Sequence, residues 1–233
     1  MIAVLCAMNE ERDALIRLMK DVKAVKGKKL KYRDGNLNNE YYVGKLGNKD
    51  VVVSRCGIGQ LFATISAVTM IEKYKPELII NLGCAGSLKS NIRVGDVIVA
   101  DRIAQWRFEV PGWERNIDAT YCSYPCDEKV LKIFSKIKTE ENVYTGNIVS
   151  ADEFIYKKGQ IRIIDKYFPD ALCGEMEGCA VAAAAYAYDV PCAVIRSISD
   201  ETLVAGSFKE FEFNLDKVCN NAAKLCKEII KRY

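Results

Sequence analysis

Short apolar runs alternate with segments of helical periodicity along most of the chain, and runs of this length predict buried strands. The strand-like runs are IAVLCAM (2–8), ELIINLG (77–83), VIVADRIA (97–104), NVYTGNIVS (142–150) and CAVIRSIS (192–199). Helices are predicted over residues 9–22, 57–74, 128–137, 159–168, 179–188 and 208–232. Residues 30–56 have turn signals at Asp34-Gly35 and Gly47-Asn48 and predict two or three antiparallel strands.

Strands that alternate with helices are typical of a largely parallel sheet covered by helices on both faces. We therefore predict an α/β fold with a mixed, largely parallel central sheet. No linker, internal repeat or low-complexity tract interrupts the pattern, so residues 1–233 are predicted to form a single domain. In such sheets ligands bind beyond the carboxyl ends of the strands, so we expect catalytic and binding residues at those ends.

The composition excludes several classes of function. The net charge is +3, from 34 basic and 31 acidic residues, which does not suggest a nucleic-acid platform. The chain has no histidine, so a Ser-His-Asp triad, a Cys-His pair and histidine metal ligands are excluded. Proton transfer near neutral pH then falls to Asp, Glu, Lys, Tyr or Cys.

The ten cysteines form no CxxC motif, and five of them lie within apolar runs, where cysteine acts as a small hydrophobe. The N-terminus does not resemble a secretory signal, and no apolar run is long enough to span a membrane. Together with this use of cysteine, these features predict a cytoplasmic protein with reduced thiols. No motif indicates a metal or an organic cofactor.

Acidic residues stand at three predicted strand or helix ends. Glu10 and Glu11 follow the first strand, Glu175 and Glu177 precede the alanine-rich helix, and Asp200 follows the last strand. Taken singly, each is compatible with an ordinary helix N-terminus or turn, where the helix dipole favours a negative charge. If the chain is still extended at residues 175–177, the two glutamates share one side.

Two glycine-containing loops follow other strands. The loop Gly57-Ile58-Gly59 is followed by Phe62 where a dinucleotide fingerprint requires a small residue, so we reject a Rossmann site. The loop GCAGS (83–87) has two interpretations, a plain turn or a set of backbone N–H groups that bind a ligand oxygen.

Four segments in this order resemble the nucleoside phosphorylase/hydrolase superfamily, most closely the 5′-methylthioadenosine/S-adenosylhomocysteine nucleosidases. They are AMNEE, NLGCAGSLKSNIRVGDVIVAD, GNIVSADEFI and CGEMEGCAVAAAAYAYDVPCAVIRSISD. The resemblance implies a nucleoside phosphorylase-like fold. It also implies hydrolysis of the bond between adenine and the ribose of a 5′-substituted adenosine.

The resemblance implies a role for each acid. Asp200 would be the general acid toward the purine N7, Glu11 would activate water, and Glu177 would bind the ribose hydroxyls and favour a cationic transition state. The implied substrate-binding residues are Met8, Ile58, Cys84, Ala85, Gly86, Phe154, Ile155, Glu175, Met176, Arg196, Ser199 and Phe208.

The chain departs from the family in three places. Cys84 replaces a usual serine, the residues after Asp200 lack a usual second acid, and the stretch 104–122 does not match. Trp106, Phe108 and Trp113 in that stretch predict either a lid over the 5′ end of the substrate or ordinary packing at a subunit interface. The resemblance and this aromatic segment predict a homodimer.

Two other functions stay open at this stage. A phosphorylase would use phosphate in place of water, and Arg55 and Arg196 are the available cations. A nucleoside-binding protein without catalysis is the second alternative, although binding alone requires neither a proton donor nor a base. The preferred 5′ substituent is not determined by the sequence.

Overall fold

The computed structural model describes residues 1–27, 40–118, 123–202 and 207–233, except for the side chains of residues 207 and 208. Its strands are β1 Ile2–Cys6, β2 Lys20–Lys26, β3 Glu40–Leu46, β4 Lys49–Arg55, β5 Leu78–Ser87, β6 Val97–Gln105, β7 Ser123–Pro125, β8 Val143–Ser150, β9 Ala171–Glu175 and β10 Cys192–Glu201. Its helices are α1 Asn9–Ile16, α2 Gln60–Tyr74, α3 Glu128–Phe134, α4 Lys158–Tyr167, α5 Gly178–Ala187 and α6 Ser207–Arg232.

The strands form one mixed sheet in the spatial order β10-β6-β8-β9-β5-β1-β4-β3-β2, with β7 paired to β6. Strand β1 runs parallel to β4 and β5, β5 parallel to β10, and β8 parallel to both β6 and β9. Strands β2, β3 and β4 form an antiparallel meander at one edge. The predicted α/β fold with a mixed sheet is confirmed.

Half of this sheet closes on itself, which the sequence did not predict. Strand β10 pairs with β5 as well as with β6, so β5, β10, β6, β8 and β9 form a ring. Closure brings the carboxyl ends of β5, β8, β9 and β10 around a common centre, where a site can be formed from residues far apart in the chain.

Helices cover both faces of the sheet because the apolar strands alternate. In β1, Ala3 and Leu5 pack in a core with residues of α2 and α5, whereas Ile2 and Val4 pack in a second core with α1, α3 and α6. A third cluster lies under α4 and includes the buried ring of Trp106. Both faces of the sheet are therefore covered and buried, as expected for largely parallel strands.

Several predicted element boundaries are wrong. Helix α1 ends at Ile16 rather than Val22, because the chain turns there and pairs with β3 as the edge strand β2. Strand β5 continues to Ser87 through the predicted loop GCAGS, because β10 and β9 supply partners on both sides. The short strands β7 and β9 were not predicted. The turn at Gly47-Asn48 is confirmed, and Asp34-Gly35 lies outside the described residues.

Within the described parts of the chain, no helix has the length and apolar character needed to cross a membrane. The same residues contain no cluster of His, Cys, Asp or Glu that could bind a metal ion. The nine cysteines described are all free thiols.

Candidate active site

A cavity of about 180 Å³ lies at the carboxyl ends of β1, β5, β8, β9 and β10. It brings together thirteen of the fifteen residues predicted for the site. They are Met8, Glu11, Ile58, Cys84, Ala85, Gly86, Phe154, Ile155, Glu175, Met176, Glu177, Ser199 and Asp200. The other two are Arg196, which does not line the cavity, and Phe208, whose side chain lies outside the described residues.

Glu11, in the first turn of α1, is buried with its carboxylate surrounded by donors. Its Oε2 accepts hydrogen bonds from the backbone N–H groups of Ala7 (2.8 Å) and Met8 (3.0 Å). Its Oε1 accepts from the backbone N–H of Cys84 (3.0 Å) and from the Cys84 thiol (3.3 Å). Burial raises the pKa of Glu11, and the nearby Arg196 cation and these donors partly offset that rise.

A glycine makes room for this carboxylate. A Cβ at Gly83 would lie 2.6 Å from Glu11 Oε1, so only glycine lets the acid rest on the backbone of β5. Glu11 is thus held as an oriented carboxylate at the cavity wall, the arrangement expected of a general base.

Asp200 lies within β10 rather than after it, and its side chain is fully buried. The Ser199 hydroxyl donates to Asp200 Oδ1 at 2.8 Å and also contacts the Ala85 carbonyl at 3.2 Å. Asp200 Oδ2 has no hydrogen-bond partner among the described residues. Burial raises the pKa of Asp200 to about 6, against the opposing effect of the Ser199 hydrogen bond. This side chain can donate a proton near neutral pH.

Glu175 ends β9 and lines the cavity, but its carboxylate oxygens bind groups of the protein. Its Oε2 accepts from the backbone N–H groups of Glu177 (2.9 Å) and Gly178 (2.7 Å), which begin α5. The same carboxylate forms a buried salt bridge with Arg196 and accepts from the Ser150 hydroxyl. Glu175 was predicted among the substrate-binding residues, and these contacts show that its carboxylate supports the start of α5 and the Arg196 cation.

Arg196 was predicted to contact the substrate, and its position does not fit that prediction. Its guanidinium is buried, donates to both oxygens of Asn81 and pairs with Glu175. Burial alone would lower the pKa of Arg196, but Glu175, Glu177 and Glu11 raise it overall, so the group stays a cation. It acts as a buried positive charge behind the acidic side of the cavity.

Glu177 is the N-cap residue of α5, but its side chain does not cap that helix. Instead, its Oε1 accepts from the backbone N–H of Gly59 at 2.8 Å, across the cavity mouth. The chain is not extended through residue 177, since β9 ends at Glu175 and Glu177 has φ −132 and ψ −31. Burial, followed by the neighbouring Glu175, raises the pKa of Glu177 to about 8.

The remaining lining is mostly apolar. Phe154, in the segment after β8, meets Phe211 of α6 edge to face, with ring centroids 5.9 Å apart. Ile155 is buried, whereas Ile58 is 54% exposed at the mouth of the cavity. An apolar slot that ends in one buried acid suits a flat heteroaromatic base.

The three aromatic rings of the segment after β6 do not line this cavity in the described chain. Trp106 is fully buried in the cluster under α4. Phe108 and Trp113 pack on each other at 6.0 Å and line a separate surface cavity with Arg115 and Tyr167. Trp106 therefore does not line the main cavity of its own chain, and the other two rings also lie outside that lining.

The sequence reasoning missed five residues that line the cavity, namely Ala7, Glu153, Gly174, Thr202 and Phe211. Glu153 directly precedes Phe154, and Phe211 lies one helical turn after Phe208 in α6, so position alone could have identified both. Gly174 lies in β9, which has no clear strand pattern, and nothing local distinguishes it.

Comparisons with known proteins agree with this geometry. The profile of the phosphorylase superfamily matches residues 1–231. A 5′-methylthioadenosine/S-adenosylhomocysteine nucleosidase of Staphylococcus epidermidis is 34% identical over 233 residues, covering 96% of each chain. A crystal structure from Borrelia burgdorferi B31 bound to adenine matches with a TM-score of 0.91 and 29% identity over 100% of both chains. The Neisseria meningitidis nucleosidase in complex with methylthio-immucillin-A matches with a TM-score of 0.87 and 27% identity, covering 100% of this chain and 99% of that one. The chain therefore belongs to the phosphorylase superfamily and, within it, to the 5′-methylthioadenosine/S-adenosylhomocysteine nucleosidases.

Proposed function

We propose that this protein hydrolyses the N-glycosidic bond of a 5′-substituted adenosine, such as 5′-methylthioadenosine or S-adenosylhomocysteine. The products are adenine and the 5-substituted ribose. The observation that supports this most is that Asp200 and Glu11 line one cavity. Asp200 is a buried acid whose Oδ2 has no partner among the described residues, and Glu11 is an oriented carboxylate. The relatives with adenine or a nucleoside analogue bound support the same substrate class.

Departure of the base requires a proton, because adenine leaves poorly as an anion. Protonated Asp200 donates the proton of its carboxyl group to N7 of the base. The bond between C1′ and N9 breaks at the same time, and its electron pair moves to the base. The Ser199 hydroxyl bond to Oδ1 orients the carboxyl so that Oδ2 faces the cavity. General acid catalysis of this kind contributes roughly 10²–10⁴-fold.

The ribose ring becomes cationic as the bond breaks, and the opposite side of the site is acidic. Glu177 binds the ribose hydroxyls and stabilises the developing charge, and Met176 packs on the sugar. A cationic ring beside Glu177 favours the ionised carboxylate and so lowers the raised pKa of this group.

Glu11 completes the reaction by accepting a proton from water as the water oxygen bonds to C1′. Four donors hold its two oxygens, so the carboxylate keeps one orientation toward the cavity. Because hydrogen bonds and the Arg196 cation favour the ionised form, Glu11 can act as a base despite its burial.

The cavity favours water over phosphate as the acceptor. Its described lining contains four glutamates and Asp200, and no lysine or arginine. Arg196, one of the two cations considered for phosphate, is occupied by Glu175 and Asn81. A phosphate dianion at this position would lie among carboxylates without a described cation to balance it.

The test is adenine release from 5′-methylthioadenosine in phosphate-free buffer, with the sugar product identified by mass. We expect free 5-methylthioribose, unaffected by added phosphate. A strict phosphate requirement, with a sugar 1-phosphate as the product, would contradict hydrolysis. Tight nucleoside binding without any adenine release would contradict catalysis altogether.

We also infer a homodimer in the cytoplasm. The apolar side chains of Ile58, Leu61 and Ile65 are exposed beside the cavity mouth at the start of α2, a surface that a second subunit would bury. The nine free thiols support a reducing compartment. Analytical ultracentrifugation at micromolar concentration tests the dimer, and a monomer mass would contradict it. Cell fractionation tests the cytoplasmic location.

A further inference from the structure

Two carboxylates from distant parts of the chain converge on the first residues of α2. Glu177 Oε1 accepts from the backbone N–H of Gly59, the N-cap residue, at 2.8 Å. Asp152 Oδ1 accepts from the next N–H, that of Gln60, at 2.7 Å. These N–H groups have no partner within their own helix, so carboxylates satisfy them and also complement the helix dipole.

The helix supplies no cap of its own. Gly59 has no side chain to accept from the first turn, and α2 has no acidic residue in that turn. Gly59 has φ +98, a conformation that side chains rarely adopt, and a Cβ there would lie 2.9 Å from Asp152 Oδ1. Asp152, 92 residues away in sequence, therefore accepts the backbone hydrogen bond that an N-cap side chain usually accepts at the start of a helix.

Glu177 is free to reach α2 because other groups satisfy its own helix. The backbone N–H groups of Glu177 and Gly178 donate to Glu175, and that of Cys179 donates to Ser150. The orientation of the Glu177 carboxylate is consequently set by where the Gly59 N–H lies. Asp152 holds the neighbouring N–H, and Asp152 itself does not line the cavity.

We propose that Asp152 is a positioning residue, which anchors the start of α2 so that the Gly59 N–H holds Glu177 in the orientation that binds ribose. This rests on the proposed function, because it takes Glu177 as the ribose-binding acid. Asp152 directly precedes the segment of Glu153, Phe154 and Ile155 that lines the base end of the cavity. One side chain thereby links the base-binding segment with the ribose-binding acid.

The test measures binding, so that it does not depend on turnover. The probes are a 5′-methylthio C-nucleoside, whose glycosidic C–C bond is not hydrolysed, and free adenine, which has no ribose. We expect Asp152→Ala to weaken binding of the C-nucleoside about tenfold or more and to leave adenine binding within about twofold, since only the sugar side is misplaced. Asp152→Asn, which keeps an acceptor oxygen, restores binding to within about threefold of wild type.

A matched control separates positioning from general loss of a helix cap. Asp127 Oδ1 accepts from the Val130 N–H at 2.7 Å and caps α3, and neither residue belongs to the cavity lining. Asp127→Ala should leave binding of both probes unchanged. In a Glu177→Gln background, Asp152→Ala should add less than about a twofold effect, because two residues that act through one contact are not additive.

Four results would overturn the proposal: unchanged C-nucleoside binding in Asp152→Ala, an equal loss for adenine, an Asn variant as weak as the Ala variant, or full additivity with Glu177→Gln. Failure of the proposed hydrolysis is recognised separately. A wild-type protein that binds the C-nucleoside but releases no adenine from 5′-methylthioadenosine contradicts the hydrolysis and leaves the binding comparison intact.

Discussion

Asp200 is an aspartate whose surroundings make it an acid rather than a base. It is fully buried, one oxygen is held by Ser199, and burial raises its pKa to about 6. We expect Asp200→Asn to lower kcat about 10²–10⁴-fold, because an amide can hydrogen-bond to a purine nitrogen but does not transfer a proton. Adenine release measures the loss, and titration with the C-nucleoside checks that binding survives. An unchanged rate would assign the proton donor elsewhere.

The same residue should limit stability at neutral pH. The pKa of Asp200 rises from 3.8 to about 6 on folding, because burial disfavours the ionised carboxylate. The contribution of the neutral carboxyl to folding stability is therefore fully present below pH 4 and is lost as pH rises through 6. A shift of this size corresponds to at most about 3 kcal/mol. We therefore expect Asp200→Asn to raise Tm by about 2 to 6 °C at pH 7.5 and by little at pH 4. A lower Tm for the variant at pH 7.5 would contradict the burial of an ionised Asp200.

Gly83 helps to orient Glu11, the general base, as Ser199 helps to orient Asp200, the general acid. Its lack of a Cβ lets Glu11 Oε1 come close to β5, where a methyl group would lie 2.6 Å from that oxygen. We expect Gly83→Ala to displace the Glu11 carboxylate and to lower kcat about tenfold or more, with adenine binding retained. Wild-type turnover in a folded Gly83→Ala protein would show that the base tolerates another position.

At the scale of elements, α5 is alanine-rich because it packs closely between α2 and the sheet. The side chains of Ala180, Ala182, Ala184 and Ala185 are buried, and the opposite face ends in exposed Tyr186 and Ala187. Small side chains allow this helix to approach the strand ends, which places its N-cap residue, Glu177, at the cavity.

Substitutions on the two faces of α5 test this packing. Ala185→Leu should lower the free energy of unfolding by about 1–3 kcal/mol, because the added atoms have no space in a filled core. Ala187→Leu, two residues on and exposed, should change it by less than about 0.5 kcal/mol. Denaturant unfolding gives both values, and equal effects would mean that α5 is not closely packed.

At the scale of the molecule, the buried Arg196–Glu175 pair joins strands that close the ring. Arg196 belongs to β10, Glu175 to β9, and the guanidinium also donates to Asn81 of β5. Each partner satisfies a charge that would otherwise be buried alone, so the pair makes the closed arrangement of these three strands specific.

Removing one partner should therefore cost more than removing both. Arg196→Met leaves the Glu175 carboxylate without its cation, and we expect the free energy of unfolding to fall by about 3–5 kcal/mol. The double variant Arg196→Met with Glu175→Gln should recover part of that loss, since no buried charge is left unpaired. Urea unfolding of the wild type, the two single variants and the double variant measures the coupling. A double variant that loses the sum of both single effects would argue against a coupled pair.

The pattern of the chain predicted much of the fold, and the reasons for the errors are physical. Strands β1, β8 and β10 have strong local signals, because a buried strand requires an apolar run whatever lies beside it. The continuation of β5 through Gly83–Ser87 and the short β9 depend on neighbouring strands that supply hydrogen bonds. A single segment gives no sign of such partners.

The sequence by itself determined which acids are available, because the absence of histidine and the place of Glu11, Glu177 and Asp200 near element ends are readable from the chain. Only the tertiary structure decided how each acid is used. Glu175 is paired with Arg196, and Glu177 binds an N–H that is 118 residues away in sequence. Asp200 has one oxygen without a partner in the described part of the chain. Charge state and orientation depend on burial and on partners, and both are properties of the folded chain.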